Sequence, residues 1–125
     1  MLPLTSIQLR EYEMALAHTP VLLDELVELL RPARGETAID CTFGGGGHAE
    51  AVAASLGPKG LLIAVDRDPS VAEFYRDMAR SASCATELHH GNFADVLAQR
   101  DSASADMVYM DLGVSSMQLD RRERG

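Results

Sequence analysis

Residues 37–48 read TAIDCTFGGGGH, a short apolar run that ends in an acid and opens into four consecutive glycines and a histidine. Thr37 to Cys41 has the composition of a buried strand, and the glycines allow a tight turn. His48 to Leu56 then continues as a helix closed by Gly57 and Pro58. A strand that passes through a glycine turn into a helix is the opening unit of a parallel α/β sheet.

The same alternation repeats on either side of this unit. Upstream, Thr19 is a candidate N-cap with Pro20 at the first helical position. Leu22, Leu23, Leu26, Leu29 and Leu30 recur at helical spacing as far as Arg31 and Pro32. Residues 1–15 form a weakly patterned amphipathic arm. Downstream, residues 61–66 (LLIAVD) form a second strand, and Asp68 before Pro69 caps a helix to about Arg80 with Val71, Phe74, Tyr75 and Met78 on one face. A weaker third strand spans Thr86 to His89, a short helix runs from Asn92 or Phe93 to Gln99, and Ala105 to Asp111 is a fourth strand. Four strands with crossover helices make an incomplete parallel sheet of the α/β class.

The chain has 125 residues, 46% of them apolar and 24% charged, which suits one domain with a single core and excludes both a disordered tail and two independent domains. Asp and Glu outnumber Lys and Arg by 19 to 11, a net charge of -8, which argues against a free-standing nucleic-acid binder. Cys41 and Cys84 lack CxxC spacing or a nearby ligand set, so neither a disulfide framework nor a metal site is expected. The opening MLPLTSIQLR is not a basic region followed by an apolar stretch, and no apolar run reaches membrane-spanning length. A soluble cytoplasmic protein is expected.

Three strands end in chemistry at their carboxyl ends, where open α/β sheets bind ligands. The glycines and the start of the following helix offer backbone N–H groups and a positive dipole end to an anionic ligand group. The plainer alternative is a turn that only joins strand to helix. No GK[ST] follows, which excludes a P-loop. Asp66 closes strand two about 20 residues later, where such folds hold ribose hydroxyls, against the simpler reading of a solvated strand end. Asp111 stands at the tip of strand four before Gly113, Ser115 and Ser116. It could orient and accept hydrogen bonds from an amine, or cap the next turn. His89 and His90 are adjacent in a strand, so one is expected packed and the other solvated. A carboxylate after a glycine loop suits either a nicotinamide dinucleotide, for which Gly44, Gly46 and Ala49 satisfy GxGxxA, or S-adenosylmethionine.

In order and spacing, five segments resemble the N-terminal part of the bacterial 16S ribosomal RNA cytosine-N4 methyltransferase family, RsmH, formerly MraW. They are HTPVLLDE (18–25), DCTFGGGGH (40–48), AVDRDP (64–69), GNF (91–93) and DLGVSSMQLD (111–120) followed by ERG (123–125). The resemblance spans about Leu16 to Gly125. It implies a Rossmann-like class I methyltransferase fold that uses S-adenosyl-L-methionine, with an inserted helical domain, acting on a cytidine of 16S rRNA in the small ribosomal subunit. It implies cofactor contacts from Gly46, Gly47, His48, Asp66, Phe93, Asp111 and Gln118, with Asp111 also near the acceptor amine and no metal. The family commonly has proline where this chain has Met117, which leaves the backbone before Gln118 less fixed. The family marks His18 without giving it a chemical role.

Residues 16–125 are thus expected to be the N-terminal part of a cofactor-binding domain, with the remaining strands and the inserted domain absent. That makes the chain a fragment, inactive alone and prone to self-association through an open strand from Met107 to Leu112. Arg121, Arg122 and Arg124 read as a solvated tail, and the basic RNA-facing surface is expected mostly in the missing part. Two alternatives stand beside this reading: a nicotinamide-dependent dehydrogenase domain, and a cofactor-binding module without turnover.

Overall fold

The structure is a computed structural model that describes residues 5–6 and 22–112. Apart from residues 5–6 the arm lies outside the described residues, as do Thr19, Pro20, His18, Ser115, Ser116, Met117, Gln118 and the three C-terminal arginines. Strands β1 (Thr37–Asp40), β2 (Leu61–Asp66), β3 (Ala85–His90) and β4 (Met107–Tyr109) form one parallel sheet in the order β3-β2-β1-β4. The sheet starts at β1, winds outward through β2 to β3, and the chain then crosses back to place β4 on the other side of β1. This α/β arrangement reverses direction between β1 and β4, and such a reversal opens a crevice at the strands' carboxyl ends.

Among residues 22–112 four helices accompany the sheet: α1 (Leu23–Leu30), α2 (Gly47–Leu56), α3 (Ala72–Ser81) after a 3-10 turn at Pro69–Val71, and α4 (Phe93–Ala98). Successive strand residues point to opposite faces, so the two central strands build two cores. Ala38, Leu62 and Ala64 join Val52, Leu56 and Met78 on one face, with Leu26 and Leu30 of α1 packed against them. Ile39, Ile63 and Val65 meet Phe93, Val96 and Leu97 on the other. Near-continuous apolar runs in β1 and β2 are what a sheet covered on both faces requires.

The expected elements are present with adjusted edges. The apolar stripe of α1 is displaced: Leu23, Leu26, Val27 and Leu30 are half-buried, while Leu22 and Leu29 are exposed. Spacings of three, four and seven put Val27, not Leu29, on the inward face. Strand β3 is longer than its polar sequence suggests, because all six residues pair with β2, which needs no apolar side chains. Its polar groups pair locally: His89 Nε2 lies 3.1 Å from Glu87 Oε2, and Tyr75 Oη of α3 lies 3.0 Å from Thr86 Oγ1. His90 is exposed, and the His89 side chain, 41% exposed beside Glu87, is not packed away as expected.

Strand β4 is shorter than expected. It is an edge strand among the described residues, and Val108, Met110 and Leu112 are exposed. Asp106 sets its register from both directions, donating its N–H to the Thr37 carbonyl at 2.9 Å and accepting the Thr37 N–H at 2.8 Å. No helix among the described residues is long and apolar enough to cross a membrane.

Gly60 closes the turn from α2 to β2 and donates its N–H to the Gly57 carbonyl at 3.0 Å. A methyl group on Gly60 would lie 2.5 Å from Leu56 Cβ and 2.6 Å from its carbonyl oxygen. Leu56 is fully buried and cannot swing aside. Gly60→Ala is therefore expected to destabilise the fold by about 1–3 kcal/mol, the usual cost of overpacking. Urea unfolding of the two proteins measures it, and equal midpoints would refute the clash.

Candidate functional site

The loop from Cys41 to Gly46 is held by its neighbours on both sides. Cys41 donates its N–H to the Tyr109 carbonyl of β4 at 3.0 Å, and Phe43 donates to the Val65 carbonyl of β2 at 3.0 Å. The Phe43 side chain turns inward, is buried, and meets the Tyr75 ring edge-on with centroids 6.1 Å apart. Gly46 lies against this ring with φ at +84°, and a Cβ there would approach Phe43 Cζ to 2.9 Å. Both the left-handed backbone and the ring require glycine at this position.

Helix α2 starts at Gly47 and His48, immediately after the loop. The first N–H groups of a helix have no partner within it, so its positive end is directed at the strand tips. The His48 ring stands edge-on to Tyr109, with centroids 6.5 Å apart. Gly46, Gly47 and His48 thus sit together over the tips of β1 and β4.

Asp66 joins the glycine loop to the loop after β2. Its Oδ2 accepts the Gly44 N–H at 2.8 Å and its Oδ1 accepts the Asp68 N–H at 2.9 Å. Each carboxylate oxygen can accept a second hydrogen bond, so Asp66 can brace the loop and still bind hydroxyls. Asp68 caps the following turn, accepting the Ser70 N–H at 2.9 Å. Phe93 follows the Asn92 cap of α4 and is half-buried against Ile39, Cys41, Ile63 and Val65. It lies on the opposite core face from Phe43. Asp111 is exposed, and its N–H donates to Thr42 Oγ1 at 2.7 Å.

Asp40 carries a chemical feature that sequence reasoning passed over. Its carboxylate is 1% exposed, Oδ1 accepts the Thr42 N–H at 3.0 Å, and Oδ2 has no hydrogen-bond partner. Burial pushes its pKa up from 3.8 to about 6, against the lowering effects of the Thr42 N–H, the Tyr109 hydroxyl and His48, while the Asp66 charge raises it further. The Tyr109 hydroxyl, too, is buried without a hydrogen bond of full geometry, and burial together with Asp40 pushes its pKa upward. Asp40 and Tyr109 are register partners in β1 and β4. The legible signal was an acid inside the inward-facing TAID run, since isolated buried carboxylates are expensive. No group of three or more His, Cys, Asp or Glu side chains among the described residues is arranged to hold a metal ion.

The sequence pattern of the MraW methylase family matches residues 15–125. The chain is similar to proteins named ribosomal RNA small subunit methyltransferase H: 44% identical over 111 residues to that of Syntrophotalea carbinolica, covering 86% of this chain and 35% of the relative. It is also 44% identical over 111 residues to that of Trichlorobacter lovleyi, covering 86% of this chain and 36% of the relative. The chain thus spans about a third of the length of these relatives. In fold it is similar to a putative O-methyltransferase from Klebsiella pneumoniae (TM-score 0.58, 17% identity, 90% of this chain and 56% of that one). It also matches a protein-L-isoaspartate O-methyltransferase (TM-score 0.57, 17% identity, 76% of this chain and 30% of that one).

The folded protein holds the Asp40 proton up to about pH 6, whereas an unperturbed aspartate releases it near 3.8. The folded state therefore binds more protons in that window, and this group's contribution to stability falls as pH rises through it. Asp40→Asn removes the charge, so its stability relative to the wild type is expected to rise between pH 4 and pH 7, by on the order of 1–3 kcal/mol. Urea unfolding across that range measures it, and a difference independent of pH would sink the assignment.

Proposed function

The chain belongs to the MraW methylase family, and we propose that residues 16–125 are the N-terminal part of an S-adenosyl-L-methionine-binding domain that methylates the exocyclic N4 of a cytidine in small-subunit (16S) ribosomal RNA. The observation that carries this reading is the convergence of the glycine loop, Asp66 and Asp111 at the carboxyl ends of three adjacent strands, linked by the Gly44–Asp66 and Thr42–Asp111 hydrogen bonds. The sulfonium group of S-adenosyl-L-methionine supplies an electrophilic methyl.

The residues present fit that cofactor. The start of α2 at Gly47 and His48 suits a carboxylate, and the charge of buried Asp40, next to it at the end of β1, suits an ammonium group. Asp66 keeps lone pairs for a ribose diol, and the half-buried Phe93 offers ring surface to an adenine. Asp111, exposed at the tip of β4, is assigned to orient the acceptor amine and accept its hydrogen bond. A neutral amine already has a nucleophilic lone pair, so the chain's main contribution is positioning. Gln118 is assigned to the cofactor by the family resemblance. The dehydrogenase alternative retains the literal spacing of Gly44, Gly46 and Ala49 and has no support from the family match.

Asp66→Ala is expected to weaken S-adenosyl-L-methionine binding at least tenfold in a full-length protein containing this chain, because hydrogen bonds to a charged acceptor contribute about 1.5–3 kcal/mol each. Calorimetric titration tests this alongside NAD, and preference for NAD or unchanged affinity in the variant would reject the assignment.

Asp111→Ala is expected to slow methyl transfer to small-subunit RNA at saturating cofactor at least as much as it weakens cofactor binding. Single-turnover rates decide, since a mutant with normal chemistry and weakened affinity would make Asp111 a cofactor contact alone.

A further inference from the structure

Strands β1 and β4 part company at Thr42, and the way they do so places a hydroxyl where a backbone acceptor would otherwise be. Asp40 pairs with Tyr109 in the parallel ladder, and Cys41 donates its N–H to the Tyr109 carbonyl at 3.0 Å. In an unbroken parallel ladder the next bond would run from the Asp111 N–H to the Cys41 carbonyl. Here β1 has begun to turn toward β2, as the Phe43 N–H to Val65 carbonyl bond records, and the Asp111 N–H donates instead to Thr42 Oγ1 at 2.7 Å. The Thr42 N–H is itself fixed on Asp40 Oδ1 at 3.0 Å.

Thr42 therefore touches the buried acid below it and the exposed strand tip beside it, across 69 positions of sequence. Its branched Cβ restricts χ1, so the hydroxyl is presented in one direction. From this geometry we infer that Thr42 is a positioning residue for methyl transfer: its hydroxyl extends the β1–β4 pairing by one bond and thereby sets Asp111 relative to the glycine loop. The inference rests on the functional reading of Asp111 given above and adds what holds that residue in place.

Two substitutions isolate the hydroxyl. Thr42→Val keeps the shape and removes the acceptor, and because Asp111 is exposed its N–H can turn to water without a folding penalty. Thr42→Ser keeps the acceptor. In a full-length protein containing this chain, acting on small-subunit RNA, Thr42→Val is expected to lower kcat about tenfold, the equivalent of one hydrogen bond. The KM for S-adenosyl-L-methionine should change less than about twofold, and Thr42→Ser should recover most of the rate. Amide hydrogen exchange of Asp111 should quicken in the Val protein and stay slow in the Ser protein. Wild-type kcat in Thr42→Val, equal losses in both variants, or an effect confined to KM would each overturn the inference. So would unchanged Asp111 exchange in Thr42→Val. The exchange measurement needs no activity, so it tests the bond even if the wild-type protein transfers no methyl group, an outcome that would instead defeat the functional reading.

Discussion

The carboxylate of Asp66 organises this end of the sheet. By accepting the Gly44 and Asp68 N–H groups it fixes the two loops that leave β1 and β2 against each other. The glycine loop has few side chains with which to hold itself, and Gly44 and Gly46 adopt positive φ values that make it conformationally costly to order. A charged acceptor bonded to its backbone offsets part of that cost, and buried Phe43 beneath Gly46 adds further support. Asp66 is thus both a brace and a candidate ligand, and an effect of replacing it on binding combines the two roles.

A second constraint comes from the other side of β1. Asp40 sits in a nearly water-free position with one oxygen satisfied and one not, beside a tyrosine hydroxyl in the same condition. Burying an acid with incomplete hydrogen bonding costs stability, which its raised pKa reflects. Groups of this kind concentrate where a protein binds or reacts. Their location at the β1–β4 divide, below the start of α2, places the cost at the reversal point of the sheet.

Much of the fold was legible in the residues because apolar patterning and turn chemistry agreed. LLIAVD marks β2 at its observed bounds, and Asp68 before Pro69 forms the cap expected from its chemistry. What was misjudged depended on neighbours. Leu29 differs from Val27 in exposure only because of the way α1 leans on the sheet. The length of β3 is set by pairing with β2 rather than by its own polar residues. In the site, Asp66 and the glycines could be read from spacing, whereas the bond between Thr42 and Asp111 spans two distant segments and has no local signature. Asp40 was visible as a letter, but its burial became evident only once β2 and β4 flanked it.

The charges at the strand tips also bear on which nucleotide cofactor the site suits. A pyrophosphate at a helix start is favoured by a positive end with little negative charge nearby. Here the start of α2 is accompanied by Asp40 inside the sheet, by Asp66 on the glycine loop's backbone and by Asp111 on the adjacent tip. Acids on neighbouring strand tips favour a ligand with cationic centres over a polyanion. The net charge of -8 adds to that field and further disfavours a polyanionic ligand.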